Sequence, residues 1–462
     1  MASAAPARFA VVGGGWAGCA AAVTLASSGL PVTLFEQSKT LGGRARRIVV
    51  DGIALDNGQH VLLGAYRQTL ALVNAVHRSE DAGRLFHRLP LALRPFGARL
   101  AGEIELAAWN ARAPLNLAGG VLCAKGLSWG ERLALFSAFR SLRNRALDAA
   151  ADQSVTARFA ATPRHAFTQV WQPLCLAALN TPPERASAKM FAHVLRSALG
   201  GTAHDSDLLV PAVDLSAAFP DAAADFVAAR NGVVRCGFAV RGIVSAGGAV
   251  SLGIGATAQT FAGVVIAVGP HQLASTLGNG TALPPGFEQP LAQVGRFAYE
   301  SITTIYLGFT YRVPFAVPML RLDDSPGQWA FDRSAMLASG APSGTKGLVA
   351  VVISASGPHD ALDQRTLAAN VEAQLRRRMP DLPAVTFARV IAERRATYAC
   401  TPGLARPHGG RIGDRIYLAG DYCDPELPAT LEAATRSGVA AAEAIIADFA
   451  GAAAARASTR AP

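Results

Sequence analysis

The chain has 462 residues, a formal net charge of +10, and 51% hydrophobic against 16% charged residues. That length allows two or three domains with large cores, so folding needs neither disulfides nor metals. Six cysteines (Cys19, Cys123, Cys175, Cys236, Cys400 and Cys423) show no CxxC spacing, which excludes a zinc ribbon and a disulfide-stapled secreted scaffold. Reduced thiols fit a cytoplasmic compartment. No run of about 18 apolar residues is free of Gly, Pro or charge, so no membrane span is expected. No signal peptide is read in residues 1–8, because the apolar run that follows already contains a glycine cluster. The positive charge suits anionic lipid or a phosphate-bearing ligand. Nucleic acid is not expected as a partner, and no metal site is expected.

In chain order, residues 8–12 (RFAVV) predict a buried strand ending in Gly13-Gly14-Gly15. Residues 19–28 predict an Ala-rich helix, and 32–36 (VTLFE) a second buried strand. A further helix is predicted near 66–80. From about 85 to 215 the pattern is mostly helical, broken at Asn180-Thr181-Pro182-Pro183. Residues 233–254 alternate and turn through Ala246-Gly247-Gly248, which reads as a hairpin. Buried strands are predicted at 264–268 and 416–419, others near 297–310 and 348–355, and a helix near 365–379. A long Ala-rich helix runs from about 430 to 449, and from Gly451 the composition predicts a disordered tail.

The fold class expected is α/β (α+β overall). Nucleotide-type elements at the start, middle and end give a discontinuous Rossmann-like domain of 1–84, 216–285 and 390–450. An inserted substrate domain, 85–215 and 286–389, would hold helices and a mixed or antiparallel sheet. The tail is 451–462.

Gly13, Gly15 and Gly18 stand in G-x-G-x-x-G spacing between strand and helix, and Glu36 ends the second strand. Such glycines permit a tight turn, backbone approach to a pyrophosphate, and close helix packing; the acid accepts ribose hydroxyls. Gly253–Ala258 has similar spacing without a following helix, and the run 340–347 has the wrong glycine spacing for a P-loop. Leu41-Gly42-Gly43-Arg44 suits a turn with a phosphate contact, Gly43 for backbone and Arg44 for charge. Gly420-Asp421 ends the last strand, with Asp421 placed for a ribityl hydroxyl. Thr430 and Leu431 open a helix whose free N–H groups face a ring. Glu432 and Arg436, four apart, read as a helix-surface ion pair.

Together these blocks resemble the flavin amine oxidase and carotenoid desaturase superfamily. Asp56-Asn57-Gly58-Gln59-His60-Val61-Leu62-Leu63-Gly64-Ala65-Tyr66 is similar to the signature of hydroxysqualene dehydroxylases, squalene-associated FAD enzymes of bacterial hopanoid pathways. Residues 179–188 and 207–211 are similar too. The resemblance implies FAD along the first domain with its ring facing the second. It places Gly58, Gln59 and His60 beside the isoalloxazine, and Val234 at the adenine end through its backbone. It implies reductive removal of a hydroxyl from a C30 isoprenoid allylic alcohol, giving squalene.

Loss of an allylic hydroxyl needs a proton donor, and a carboxylic acid in an apolar tunnel keeps its proton. His60 and Asp207 are the candidates taken forward, with Asp205 and Glu184 behind them; each also has an ordinary loop or cap role. No second dinucleotide motif is present, so an external electron donor is expected rather than bound NADPH. Anionic membrane on the inner face and upstream prenyl synthases are further expected partners. A carotenoid-type desaturase running the opposite way, and a flavin-containing membrane-surface partner of a prenyl synthase without turnover, are the competing readings. An amine oxidase is disfavoured for want of an aromatic pair near the C-terminus.

Overall fold

The computed structural model describes residues 7–77, 82–112, 114–143, 151–199, 201–202, 204–278, 283–339 and 342–458. Strand Phe9–Val12 is buried throughout and pairs in parallel with Val32–Glu36 on one side and Gly263–Ile266 on the other. A parallel strand covered on both faces is a continuous apolar run, which is why FAVV does not alternate. The full sheet has six strands in the order Val233–Cys236, Val32–Glu36, Phe9–Val12, Gly263–Ile266, Ile416–Leu418 and Gly410–Gly413. Only the last pairs antiparallel.

Val233–Cys236 therefore belongs to this sheet and not to the expected hairpin, which is built from Val240–Ala246 and Ala249–Ile254. Helix α1 (Trp16–Ser27) covers the sheet. A long C-terminal helix, Leu431–Ser458, packs against α1 so closely that a Cβ on Gly438 would lie 2.1 Å from the Ala17 carbonyl oxygen. That helix runs on to Ser458, through residues whose composition suggested a disordered tail; Ala-rich sequence is a strong helix former. Residues 459–462 lie outside the described residues.

A second sheet is antiparallel, in the order Met319–Arg321, Trp329–Asp332, Gly347–Ser354, Tyr299–Phe309 and Val385–Tyr398. Its side chains alternate. Ile305, Leu307, Val349 and Val351 pack with Leu367, Val371 and Leu375 of helix Gln364–Arg378 on one face. Tyr306, Ala350 and Val352 enter the main core on the other. Strand Val385–Tyr398 crosses residue 390, where composition suggested a boundary, and pairs along its length with Tyr299–Phe309.

The segment read as mostly helical also holds short strands, Phe86–Leu89, Ala92–Leu93, Leu106–Ala107 and Leu208–Pro211. Its helices include α2 (Leu115–Cys123), α3 (Trp129–Arg143), α4 (Gln172–Leu179) and α5 (Ala188–Leu199). Trp171 anchors them. It stacks on Phe159 with centroids 4.5 Å apart and meets Phe139 and Phe191 at 4.7 and 6.1 Å. No helix among the described residues is long and apolar enough to cross a membrane.

Candidate functional site

The turn from Phe9–Val12 into α1 works because Gly13 adopts φ 103°. A Cβ on Gly13 would lie 2.5 Å from the Ala267 oxygen, and one on Gly18 1.8 Å from the Gly13 oxygen. Packing within the protein thus requires both glycines. Gly15 is different: a Cβ there would meet only the Gly43 Cα, at 3.9 Å. Gly15 borders a cavity of about 670 Å³. It is also the N-cap of α1 and offers no side-chain acceptor, so the first N–H groups of the helix are left for a ligand.

Glu36 lines the same cavity and is itself buried. Its two oxygens accept from the Gly14 and Ser38 amides, both at 2.7 Å. Those bonds aim the carboxylate and leave lone pairs for hydroxyl donors. Gly43 approaches Gly15 from the opposite wall. Arg44 donates to the Ala396 carbonyl at 2.6 Å and to the Asp421 carboxylate at 2.5 Å, joining two walls of the cavity.

Asp56 is fully buried and starts the Gly58–His60 loop. It accepts from Leu215 N at 2.8 Å and pairs with the buried Arg333 at 2.9 Å. Burial pushes its pKa up to about 6, opposed by Arg333 and the Leu215 amide. The Tyr306 hydroxyl donates to the Asp56 carbonyl at 3.1 Å. Beyond it, Gln59 N donates to Thr304 Oγ1 at 3.3 Å, and Gln59 Nε2 donates to the His60 carbonyl at 2.9 Å. Gln59 Oε1 is buried with no partner in the protein.

His60 Nδ1 lies 3.0 Å from the Gly58 carbonyl, which can only accept, so Nδ1 carries the hydrogen. Burial lowers the imidazole pKa. At neutral pH the remaining nitrogen, Nε2, is therefore a bare acceptor, and the expectation of His60 as proton donor is corrected.

On the far wall, Gly420 N donates to Ser437 Oγ at 2.9 Å, and Thr430 Oγ1 accepts from Ala433 N at 3.1 Å. Leu431 then opens the C-terminal helix. Glu432 turns away from the cavity. It accepts from Gln68 N at 3.0 Å, Thr69 N at 2.9 Å and Thr69 Oγ1 at 2.8 Å, and so caps helix Arg67–Val76. Arg436 pairs instead with Asp424 at 3.1 Å and Glu426 at 3.2 Å, so the expected surface pair is not formed.

Gly13, Gly15, Glu36, Gly43, Arg44, Gly58, Gln59, His60, Gly420, Asp421, Thr430 and Leu431 all line the one cavity. Gly18 stands behind it, and Val234 is in the neighbouring strand, paired with Leu34. Phe238, Val240 and Arg241 line that end instead of Val234.

Asp207 is not at the cavity. Its carboxylate meets Arg88 at 3.0 Å and His204 at 2.9 Å. Its place away from the cavity, with both partners on its own carboxylate, corrects the assignment of Asp207 as the acid. Asp205 pairs with Arg67 and accepts from Thr202 N, and Glu184 is exposed.

His271, Glu393, Arg394, Arg395 and the α4 residues Ala177 and Ala178 also line the cavity without any motif to announce them, as does Leu179, which opens the 179–188 stretch. Beside His271 and Arg395 stands Tyr299, its ring 6.2 Å from the imidazole and 5.9 Å from the guanidinium carbon. Its hydroxyl is buried without a partner, and burial raises its pKa, so it keeps its proton.

An uncapped helix N-terminus, an open glycine at its tip, an aimed carboxylate and an orphaned amide oxygen in one elongated cavity fit a dinucleotide that ends in a hydrogen-bonding ring. A family model described as flavin containing amine oxidoreductase matches residues 16–446. A hydroxysqualene dehydroxylase of Rhodopseudomonas palustris is 28% identical over 458 residues, covering 95% of this chain and 98% of that protein. Another, from Zymomonas mobilis, is 27% identical over 455 residues, 94% and 97% of the two chains. Among solved structures, an oxidoreductase from Methanosarcina mazei shares the fold with TM-score 0.69 at 15% identity, covering 95% of this chain and all of that one. The chain therefore belongs to the flavin-containing amine oxidoreductase family and is an FAD-dependent oxidoreductase.

Proposed function

We propose that this enzyme converts hydroxysqualene to squalene. The observation that carries the reading is one continuous cavity. It joins the glycine cradle at Gly15 to the Gly58–His60 loop and to a wall of Val61, Ala177, Ala178, Leu179 and Ile302. Such a wall suits a hydrocarbon and sheds water. The relatives named hydroxysqualene dehydroxylase match over nearly the whole chain and support the same substrate.

In this reading the six-stranded sheet and its helices hold the cofactor, and the second sheet with α4 shapes the substrate chamber. Gly13, Gly15, Gly43 and the α1 N-terminus take the pyrophosphate, with Gly18 holding α1 close to the turn. Glu36 takes ribose hydroxyls, and Phe238 to Arg241 flank the adenine. Gly420, Asp421 and Arg44 would hold the middle, and Thr430, Leu431, Gly58 and Gln59 would flank the ring, with the unpartnered Gln59 Oε1 left as an acceptor there. FAD, once reduced, supplies the hydride that replaces the hydroxyl.

Overall the alcohol takes up one proton and one hydride, and water leaves. In this reading Tyr299, which stands behind the His271 and Arg395 wall and not on it, is the reservoir of the proton that leaves with the oxygen, and Arg44 and Arg395 favour its phenolate. His60 keeps the loop in place through Gly58. Electrons come from an external donor.

The test is anaerobic incubation of the photoreduced holoprotein with hydroxysqualene. Return of the oxidised flavin band together with squalene supports the reading. Reduction of the oxidised flavin by a polyene would replace it with desaturation, and no redox change with either compound would remove it.

A further inference from the structure

Six of the thirteen exposed large apolar side chains among the described residues fall between residues 100 and 133: Leu100, Trp109, Leu115, Leu122, Trp129 and Leu133. Single exposed apolar residues are ordinary, but a cluster containing two tryptophans is not. On α2, Leu115, Gly119 and Leu122 share one face by their spacing. A Cβ on Gly119 would meet the Trp109 ring at 2.1 Å, so that ring lies flat on the helix between the two leucines. On α3, which packs on α2, Trp129 and Leu133 are four apart and 67% exposed each. Ser137 and Arg140 continue the same exposed stripe.

The carboxylates around this patch are all held within the protein. Between residues 100 and 140 stand Arg112, Lys125, Arg132 and Arg140 against Glu103, Glu105 and Glu131, and Glu103 pairs with Arg378 at 2.8 Å. Glu131 is turned inward onto Ser128 and His165. Lys125 pairs with Glu105 at 2.9 Å, and the Arg132 guanidinium lies 4.9 Å over the Trp129 ring. Arg112 and Arg140 are exposed. Tryptophan prefers the headgroup region of a bilayer, leucine its apolar edge, and arginine the anionic headgroups.

We infer that the outer faces of α2 and α3 dock on an anionic lipid bilayer. The layer behind them fits that orientation. α3 packs on α5, and α5 on α4, whose Ala177–Leu179 stretch forms the apolar wall of the cavity. The docking face rests on surface chemistry and stands independently of which substrate the cavity takes.

The experiment is flotation of the full chain with FAD bound. It uses vesicles of phosphatidylcholine alone and vesicles in which about a third of the lipid is phosphatidylglycerol. The protein should float with the anionic vesicles. A Leu115→Glu/Leu133→Glu variant should bind them about tenfold more weakly. Tyr311→Glu, at an exposed aromatic elsewhere, should bind as the parent does. A retained flavin absorbance band shows that each variant is folded. Absence of flotation, or undiminished flotation of the double variant, would overturn the inference. A dimer in light scattering that the double variant abolishes would also overturn it, by making the patch a contact between copies of the chain.

Discussion

Arg333 and Asp56 are 2% and 0% exposed, and each would be costly without the other. Arg333→Met leaves a buried carboxylate unpaired and should cost about 3 kcal/mol of stability. The sign with pH follows from the Asp56 pKa. Because burial lifts it to about 6, above its ordinary 3.8, the folded form binds the proton more tightly than the unfolded chain does. Ionisation thus costs stability as pH rises through 6, and removal of the cation raises the folded pKa further. The deficit of Arg333→Met, read from denaturant midpoints, should be larger at pH 8 than at pH 5. An equal deficit at both would mean that Asp56 is not the partner that matters.

Tyr299 tests the proposed proton supply. Tyr299→Phe removes only the orphaned hydroxyl and should lower single-turnover squalene formation about 10²-fold while leaving the flavin spectrum intact. Asp56 was legible because it begins a recognisable block of eleven residues. Arg333 was not, since an arginine 277 residues away carries no local pattern. The misassignment of Asp207 has the same origin: Arg88 and His204, which hold its carboxylate, are brought to it by the strand pairing Phe86–Leu89 with Leu208–Pro211 and by a turn.

Helix ends decide much of the site at the next scale. Glu432 heads the C-terminal helix yet serves helix Arg67–Val76, accepting three hydrogen bonds there while nearly fully buried. Glu432→Ala strands those donors and should cost about 2 kcal/mol, seen as a lower denaturation midpoint. A surface ion pair of the kind read from the sequence would cost well under 1 kcal/mol, so the two readings separate cleanly.

Strand, turn, helix, strand and Glu36 could be read from residues 8–36 because the pattern that marks them is local in sequence, although Gly263–Ile266 and Ala267, which pack on them, are not. Val233–Cys236 could not, because alternation marks a strand without naming its partner, and its neighbour is Val32–Glu36. The His271, Glu393 and Arg395 wall was invisible for the same reason. The Ala-rich tail shows that one composition serves two readings, since the residues read as a tail also carry high helix propensity and continue the C-terminal helix to Ser458.

At the scale of the molecule, two sheets contribute to one cavity, and the proposed cofactor seat is lined from the chain's beginning, middle and end. A ligand that binds only the folded form should stabilise it by mass action, so FAD at a hundred times its Kd should add about 2.7 kcal/mol to unfolding. The most direct test of the seat uses Gly15. Its Cβ position is open within the protein, so Gly15→Ala should leave the fold of the cofactor-free chain unchanged. The added methyl would stand where backbone has to approach a pyrophosphate. FAD titration of the deflavinated parent and variant, followed by quenching of flavin fluorescence, should show one site per chain and at least about tenfold weaker binding in the variant. Equal affinity in two chains of equal thermal stability would contradict the placement of the cofactor on this cradle.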